Sequence, residues 1–332
     1  RVYVRLRVFD IKAIRATDSA VEIDFAIYVR WYDPALIHVS RKAFRRTVHE
    51  YEQLWSPGLE VNNGIELREM WDGNASWNLK DYETGEMKYS QRYFGFIANQ
   101  MDLRDFPFDA DAIPITIGPK VHQATHVVLE HDPDFPASKT HISANSLLDW
   151  DLLPDTGFAL TTGRAGHANA TFVIIAARRY MYYVYKFLSI NVGVCAYAWA
   201  VLLIPATDIE GRLIMIVTIF LAEVAFGLVL AEDLPRVPYL TVLDQVVIGT
   251  YVLLFLVGME TMLVYVLSVP DRWFSLCRDG ANLAVAVDVA SVFLFPVAAI
   301  LVHALCIRRA FKARASIFTS GPLREPSGSF LL

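Results

Sequence analysis

Residues 210–232 read EGRLIMIVTIFLAEVAFGLVLAE, an almost unbroken apolar run closed by an acid at each end. Glu210, Ile214, Thr218, Leu221, Ala225, Leu228 and Glu232 follow one another in steps of 4, 4, 3, 4, 3 and 4. At about 100° per residue this advance makes roughly six turns with about 40° of drift, so the seven share one helical stripe. At about 1.5 Å per residue the stripe runs some 33 Å, enough to cross a hydrocarbon core of about 30 Å. Two readings fit the spacing. The acids are the water-exposed ends of a membrane helix, or the stripe is a pore lining. In the second case symmetric copies set carboxylate rings at Glu210 and Glu232 and apolar constrictions at Leu221 and Leu228. Such rings favour cations, and such constrictions gate by dewetting. The spacing alone does not separate the two.

Working outward, three further apolar runs flank this one: Tyr182–Ile204, Leu240–Val269 and Ala281–Ile307. They account for a chain of 332 residues that is 55% apolar yet 20% charged, with net charge −5. Disorder is excluded, since it requires low hydrophobicity and high net charge. No basic face dominates, so a nucleic-acid partner is not expected. The lipid bilayer is. All three cysteines, Cys195, Cys277 and Cys306, lie in or beside the apolar half, so the other half is not a disulfide scaffold. Zinc-type clusters are absent from the sequence, and no metal or cofactor is expected. The sequence opens at Arg1 without an apolar leader, as expected where a signal peptide has been removed or the chain cut.

The first half reads as β. From Val21 to Trp31 every odd position is apolar, with Glu22, Asp24 and Arg30 among those between. Period two over eleven residues marks a half-buried strand. Val2, Val4, Leu6 and Val8 give a second, and Ile113–Ile117, His126–Leu129, Phe158–Thr161 and Thr171–Ala177 give more, separated by turn residues. Short strands with no helical pattern between them predict an antiparallel, immunoglobulin-like β-sandwich. The domain organisation read here is 1–180 sandwich, 181–310 four-helix membrane domain and 311–332 tail.

Five motifs add to this. Met101-Asp102-Leu103-Arg104-Asp105-Phe106-Pro107-Phe108-Asp109 resembles the signature loop of pentameric ligand-gated ion channels. Arg30-Trp31-Tyr32-Asp33-Pro34-Ala35-Leu36 is similar to that family's W-x-D-x-x-L segment, and Leu54-Trp55-Ser56-Pro57 to its first ligand-site loop. Arg178-Arg179-Tyr180-Met181-Tyr182-Tyr183 resembles its pre-membrane arginine and tyrosines. Leu234-Pro235-Arg236-Val237-Pro238-Tyr239 with Asp244-Gln245 is close to the loop of bacterial members. The order and spacing agree along the chain to about Cys306. Animal receptors flank the signature loop with two cysteines; the corresponding positions are Asn99 and Ile113, which points to the prokaryotic-type branch. The proline usual within the first span is replaced by Ile190.

The resemblance implies a homopentamer with the second helix lining a pore for monovalent cations. Glu210 then forms the inner selectivity ring, Glu232 an outer acidic ring, and Leu221 and Leu228 the gate. Ile214, Thr218 and Ala225 complete the lining, with Ile214 narrowing and drying the inner end. Asp109 and Arg178 are implied to pair at the domain boundary, with Asp18 and the loop carrying Arg236 and Pro238 receiving the motion. The agonist is an unidentified small molecule or protons. Glu60, Lys120, His122, Phe158, His167 and Phe172 are the candidate site residues; Lys120 stands where an aromatic would favour an amine, so a primary amine is not expected. Seven of the eight histidines lie in the first half (His38, His49, His122, His126, His131, His141, His167), and histidine titrates near neutral pH.

Glu223 falls about 200° around the helix from Leu221, off the stripe. A carboxylate at the bilayer centre costs about 2.5–3.5 kcal/mol on insertion scales, so a hydrogen bond to a neighbouring helix is expected. It serves either that structural bond alone or a proton-dependent step in gating. An enzyme on a membrane anchor is the rival class, but P-loop, GxGxxG, GxSxG and HExxH motifs are all missing from the sequence. Asn74-Ala75-Ser76 and Asn169-Ala170-Thr171 match the glycosylation pattern, which has no weight in a bacterial chain. The expected location is the cell (inner) membrane, with the N-terminal domain extracellular or periplasmic. Arg308, Arg309, Lys312 and Arg314 oppose this under the positive-inside rule; a cleaved signal peptide overrides such a bias.

Overall fold

The computed structural model describes residues 1–39, 55–71, 77–81, 83–120, 127–134, 147–162, 168–233, 237–268 and 280–320. Two compact units divide the chain. Arg1–Asp102 and Ala110–Arg178 belong to one, Leu103–Asp109 and Arg179–Ala315 to the other.

The first unit is built of two sheets. β1 (Val2–Arg15) pairs antiparallel with β2 (Ala20–Tyr32), setting Val4 opposite Val29 and Val8 opposite Phe25. Val21, Ile23, Phe25, Ile27, Val29 and Trp31 are all buried, as the alternation requires. The larger sheet runs β4 (Gly64–Glu69), β6 (Glu86–Ala98), β2, β1, β8 (Leu129–His131), with β5 (Trp77–Asp81) also on β6. The smaller runs β3 (Leu59–Val61), β7 (Ala110–Pro119), β10 (Ala168–Arg178), β9 (Trp150–Thr162). Ile113, Ile115 and Ile117 on β7 and Phe172, Ile174 and Ala176 on β10 are its buried faces. The result is the expected sandwich, with one departure: β8 lies parallel to β1. Its described residues begin at Leu129, later than the strand read over His126–Leu129, part of which lies outside the described residues. β3 to β6 were not read from sequence.

The second unit holds four helices long and apolar enough to cross a membrane: α1 (Met181–Val201), α2 (Ile209–Asp233), α3 (Val242–Ser268) and α4 (Gly280–Ser320). Cys195, Ala198, Ile216, Leu253, Leu254, Val257, Phe295 and Ala299 form one core drawn from all four. Helices approach closely at two glycines. A Cβ on Gly227 would lie 2.6 Å from the Tyr251 hydroxyl, and one on Gly249 2.7 Å from Val302 Cγ1. Without a proline at position 190, α1 is still irregular: Val184–Leu188 is π-helical, a known cause of bends. α4 continues to Ser320, past the boundary drawn at 310. The charge of Arg308, Arg309 and Lys312 ends the apolar run, but Arg, Lys and Ala are strong helix formers.

Candidate functional site

α2 begins where Asp208 caps it: the Gly211 amide donates to Asp208 Oδ1 at 3.0 Å, the usual work of an N-cap acid. From there the stripe residues Glu210, Ile214, Thr218, Leu221, Ala225 and Leu228 are all exposed on the subunit. The backbone of Glu232 lies in the last turn; its side chain is outside the described residues. Arg212, Ile216, Glu223 and Leu230 form the buried side of the same helix. The exposed surface is wider than the stripe, taking in Met215, Val217, Phe220 and Val229. Thr218 donates its hydroxyl to the Ile214 carbonyl at 2.7 Å, leaving the oxygen's free lone pair on the stripe.

Arg212 sets the depth of the helix start. Only 1% exposed, it grips Asp288 of α4 with two nitrogens at 2.7 and 3.1 Å. Its Nη2 also donates to the Leu202 carbonyl, at 3.2 Å, and its Nε to that of Ile204, at 2.8 Å, just past the end of α1. Three segments are thereby held at one point, two residues from Glu210.

The loop 103–109 belongs to the helical unit. Its Leu103 amide donates to the Tyr239 hydroxyl at 3.1 Å, and its Arg104 carbonyl accepts from the Val242 amide at 3.0 Å. Phe106 packs on Tyr183 at 4.8 Å between ring centres, and Phe108 on Tyr180 at 5.1 Å and Phe311 at 4.8 Å. The loop thus reaches α1, the start of α3, and α4. Asp109 at its end is buried, and Arg178, which closes the sheet unit, is buried with its guanidinium 4.1 Å above the Trp150 ring. Asp18 is exposed in the turn between β1 and β2, Pro238 is exposed before α3, and Arg236 lies outside the described residues.

The ligand candidates fall into two groups. β3 sets Glu60 opposite Gly118, two residues before Lys120, at one edge of the smaller sheet; both side chains are exposed. Phe158 and Phe172 are cross-strand partners on β9 and β10, 5.1 Å apart, and His131 joins them at 5.0 Å from Phe158. Burial among these rings holds the His131 imidazole below its ordinary range, against the opposing pull of Asp132. His122 and His167 lie outside the described residues.

Of two further arrangements, one escaped the sequence reading and one was expected from it. Arg30, buried beneath the Trp31 motif, meets Asp132 and Asp134 at 2.6 Å each and Glu86 at 3.6 Å. Asp132-Pro133-Asp134 was its available signal. The other is the bond expected between Glu223 and a neighbouring helix: Asn191 of α1 lies 2.8 Å from its Oε1, a partner that the sequence did not name.

Residues 1–152 match the family described as the neurotransmitter-gated ion-channel ligand binding domain. With the four helices, this match bears out the resemblance to prokaryotic-type pentameric ligand-gated ion channels that the five motifs carry. Among its curated relatives is a proton-gated ion channel of Gloeobacter violaceus, 21% identical over 72% of this chain and 66% of that protein. The gamma-aminobutyric acid receptor subunit gamma-3 of Mus musculus is 20% identical over 77% of this chain and 56% of that protein. Subunit gamma-4 of Gallus gallus is 20% identical over 73% and 54%. The chain therefore spans between about half and two thirds of the length of these relatives. Members of the pentameric ligand-gated family are channels rather than enzymes, and the four helices make this chain a multi-pass membrane protein.

Proposed function

We propose that this chain is one subunit of a homopentameric, cation-selective channel, lined by α2 and opened by a small-molecule agonist or by protons acting on the sheet unit. The α2 stripe carries the reading: a face as long as the hydrocarbon core is deep, acid at its start, and exposed on the single subunit along all its described side chains. An acid in the first turn suits any helix N-terminus, so the weight falls on the length and exposure of the whole stripe. Around a central axis, Glu210 concentrates monovalent cations at the inner mouth and Glu232 at the outer, while Leu221 and Leu228 close the path by excluding water. The exposed flanks beyond the stripe are what a helix bordering neighbouring copies requires.

The sheet domain (1–180) faces the cell exterior or periplasm and the membrane domain (181–310) spans the inner membrane. Asp109, Arg178, Asp18, Arg236 and Pro238 carry the opening signal between them. The loop 103–109 supports this role, because its phenylalanines pack on α1 and α4 and its backbone bonds hold the start of α3. Protons are one of the two proposed triggers because a relative is named a proton-gated channel and His131 already sits in an aromatic cluster. An agonist site around Glu60, Lys120, Phe158 and Phe172, with His122 and His167, is the other.

Currents from cells expressing the full chain, under ion substitution and pH steps, test this. Reversal potentials are expected to follow sodium and potassium, and Glu210→Gln is expected to lower the cation-to-anion permeability ratio. Reversal that follows chloride overturns the cation assignment.

A further inference from the structure

Each of the four helices contributes one polar side chain to the same buried point. Asn191 of α1, Glu223 of α2, Thr250 of α3 and His303 of α4 are 2%, 0%, 0% and 9% exposed. Asn191 is the centre. One end of its amide lies 2.8 Å from Glu223 Oε1, and the other lies 2.8 Å from both Thr250 Oγ1 and His303 Nε2. The second ring nitrogen of His303, Nδ1, lies 2.7 Å from the Ala299 carbonyl.

Hydrogen counting restricts what this cluster holds. With the amide oxygen toward His303, both ring nitrogens face acceptors, so the ring donates twice and is an imidazolium. Glu223 is then its carboxylate counter-charge. A half-turn of the amide leaves every heavy-atom distance in place and removes both charges. Protonated Glu223 donates to Asn191 Oδ1, and Asn191 Nδ2 donates to His303 Nε2 and to Thr250 Oγ1. Thr250 donates to the Val246 carbonyl at 3.2 Å, and His303 Nδ1–H donates to Ala299.

Two observations favour the neutral arrangement. Glu223 Oε2 has no hydrogen-bond partner, and an orphan oxygen costs less on a neutral acid than on a carboxylate. Cys195, Leu253, Leu254 and Ala299 belong to the apolar core around it, where a separated ion pair costs more than it returns. The other titratable neighbours are Cys195, with Sγ 3.7 Å from Thr250 Oγ1, and Tyr251, whose hydroxyl donates to the Glu223 carbonyl at 3.4 Å; both are neutral at pH 7.

We propose that Glu223, Asn191 and His303 form an intramembrane site for a single proton, which rests on Glu223 and has His303 as its second seat. Transfer breaks the Glu223 O–H bond as Asn191 Oδ1 takes the proton; the amide turns, and the Oδ1–H bond breaks as His303 Nε2–H forms, which leaves Nδ2 donating to the Glu223 carboxylate. Both arrangements carry one proton and zero net charge, so the exchange needs nothing from water. The site is a proton store tying α1, α2, α3 and α4 together, and is silent toward external pH near neutrality. This rests on packing within the helical unit and not on the pore reading.

Infrared spectra of the full chain in phosphatidylcholine vesicles test it. The expected result is a protonated-carboxyl C=O stretch that persists from about pH 5 to about pH 8, beyond the ordinary glutamate range, and is lost in Glu223→Gln. Gln retains a donor at that position, so this variant is expected to elute as the wild type does. In histidine-labelled protein, nitrogen magnetic resonance should show a neutral Nδ1–H ring that disappears in His303→Gln. An imidazolium signal there, no carboxyl difference band at pH 7, or a band that titrates away within that pH range overturns the proposal. Neither readout uses current, so a chain that fails to conduct leaves this site standing, and the reverse holds.

Discussion

Arg30 in the sheet unit and Arg212 in the helical unit are both buried, at 8% and 1% exposure, yet their charges are met in different ways. Arg30 faces three carboxylates, and Glu86 among them is approached by Lys80 at 3.5 Å and Lys88 at 4.0 Å. The lysine side chains are 50% and 41% exposed. Near water, neutrality is reached over a network whose outer members are half in solvent. Arg212 meets one carboxylate at hydrogen-bond distance, Asp288, in bidentate contact, with Glu260 of α3 within electrostatic reach of both, and its Nε and Nη2 also donate to carbonyls that carry no net charge. Within the membrane half the charge is cancelled at contact. The Glu223 cluster goes further by carrying no charge at all.

The comparison is broken most sharply at Arg212. Arg212→Met leaves Asp288 uncompensated and is expected to cost about 3–5 kcal/mol, seen as loss of assembled protein in size-exclusion profiles. Arg212→Met with Asp288→Leu removes both charges and should recover much of that loss. Arg30→Met should be milder, about 1–3 kcal/mol, because Asp134 is 59% exposed and water reaches the network.

A smaller effect belongs to His131. Its imidazole is held below the ordinary value in the fold, chiefly by burial, so protonation favours the unfolded chain. The stability it contributes is present above the unfolded value of about 6.5 and is lost as pH falls toward the depressed folded value. His131→Phe should remove that portion of the acid sensitivity in melts taken from pH 8 to pH 5. The least effect on stability is expected at Thr218→Val, within about 0.5 kcal/mol, since this exposed hydroxyl bonds only to its own helix; a change in single-channel conductance at unchanged stability would sharpen its place on the pore.

What the sequence made legible follows from period. β2 shows strict alternation because only one of its faces is consistently buried, and α2 shows its stripe because one face has no partner within the subunit. β6 was missed for the opposite reason: Lys88, Tyr89, Arg92, Tyr93, Phe94 and Phe96 are all half-buried, so neither face is cleanly apolar. The Asn191, Glu223, Thr250 and His303 cluster has no linear pattern, since its members lie up to 112 residues apart and only helix packing unites them. Asp132 and Asp134 are likewise brought to Arg30 by the pairing of β8 with β1. The signature loop was legible as a motif, but its membership of the helical unit was not.

That membership bears on how the molecule can be taken apart. A fragment ended at Arg178 would keep 103–109 and lose the helical residues that pack on Phe106 and Phe108. Leu103, Phe106 and Phe108, now 2%, 2% and 3% exposed, would be handed to water as a sticky apolar tip. A water-soluble ligand-binding fragment therefore calls for two edits, a truncation after the last strand and polar replacements in a loop some seventy residues earlier.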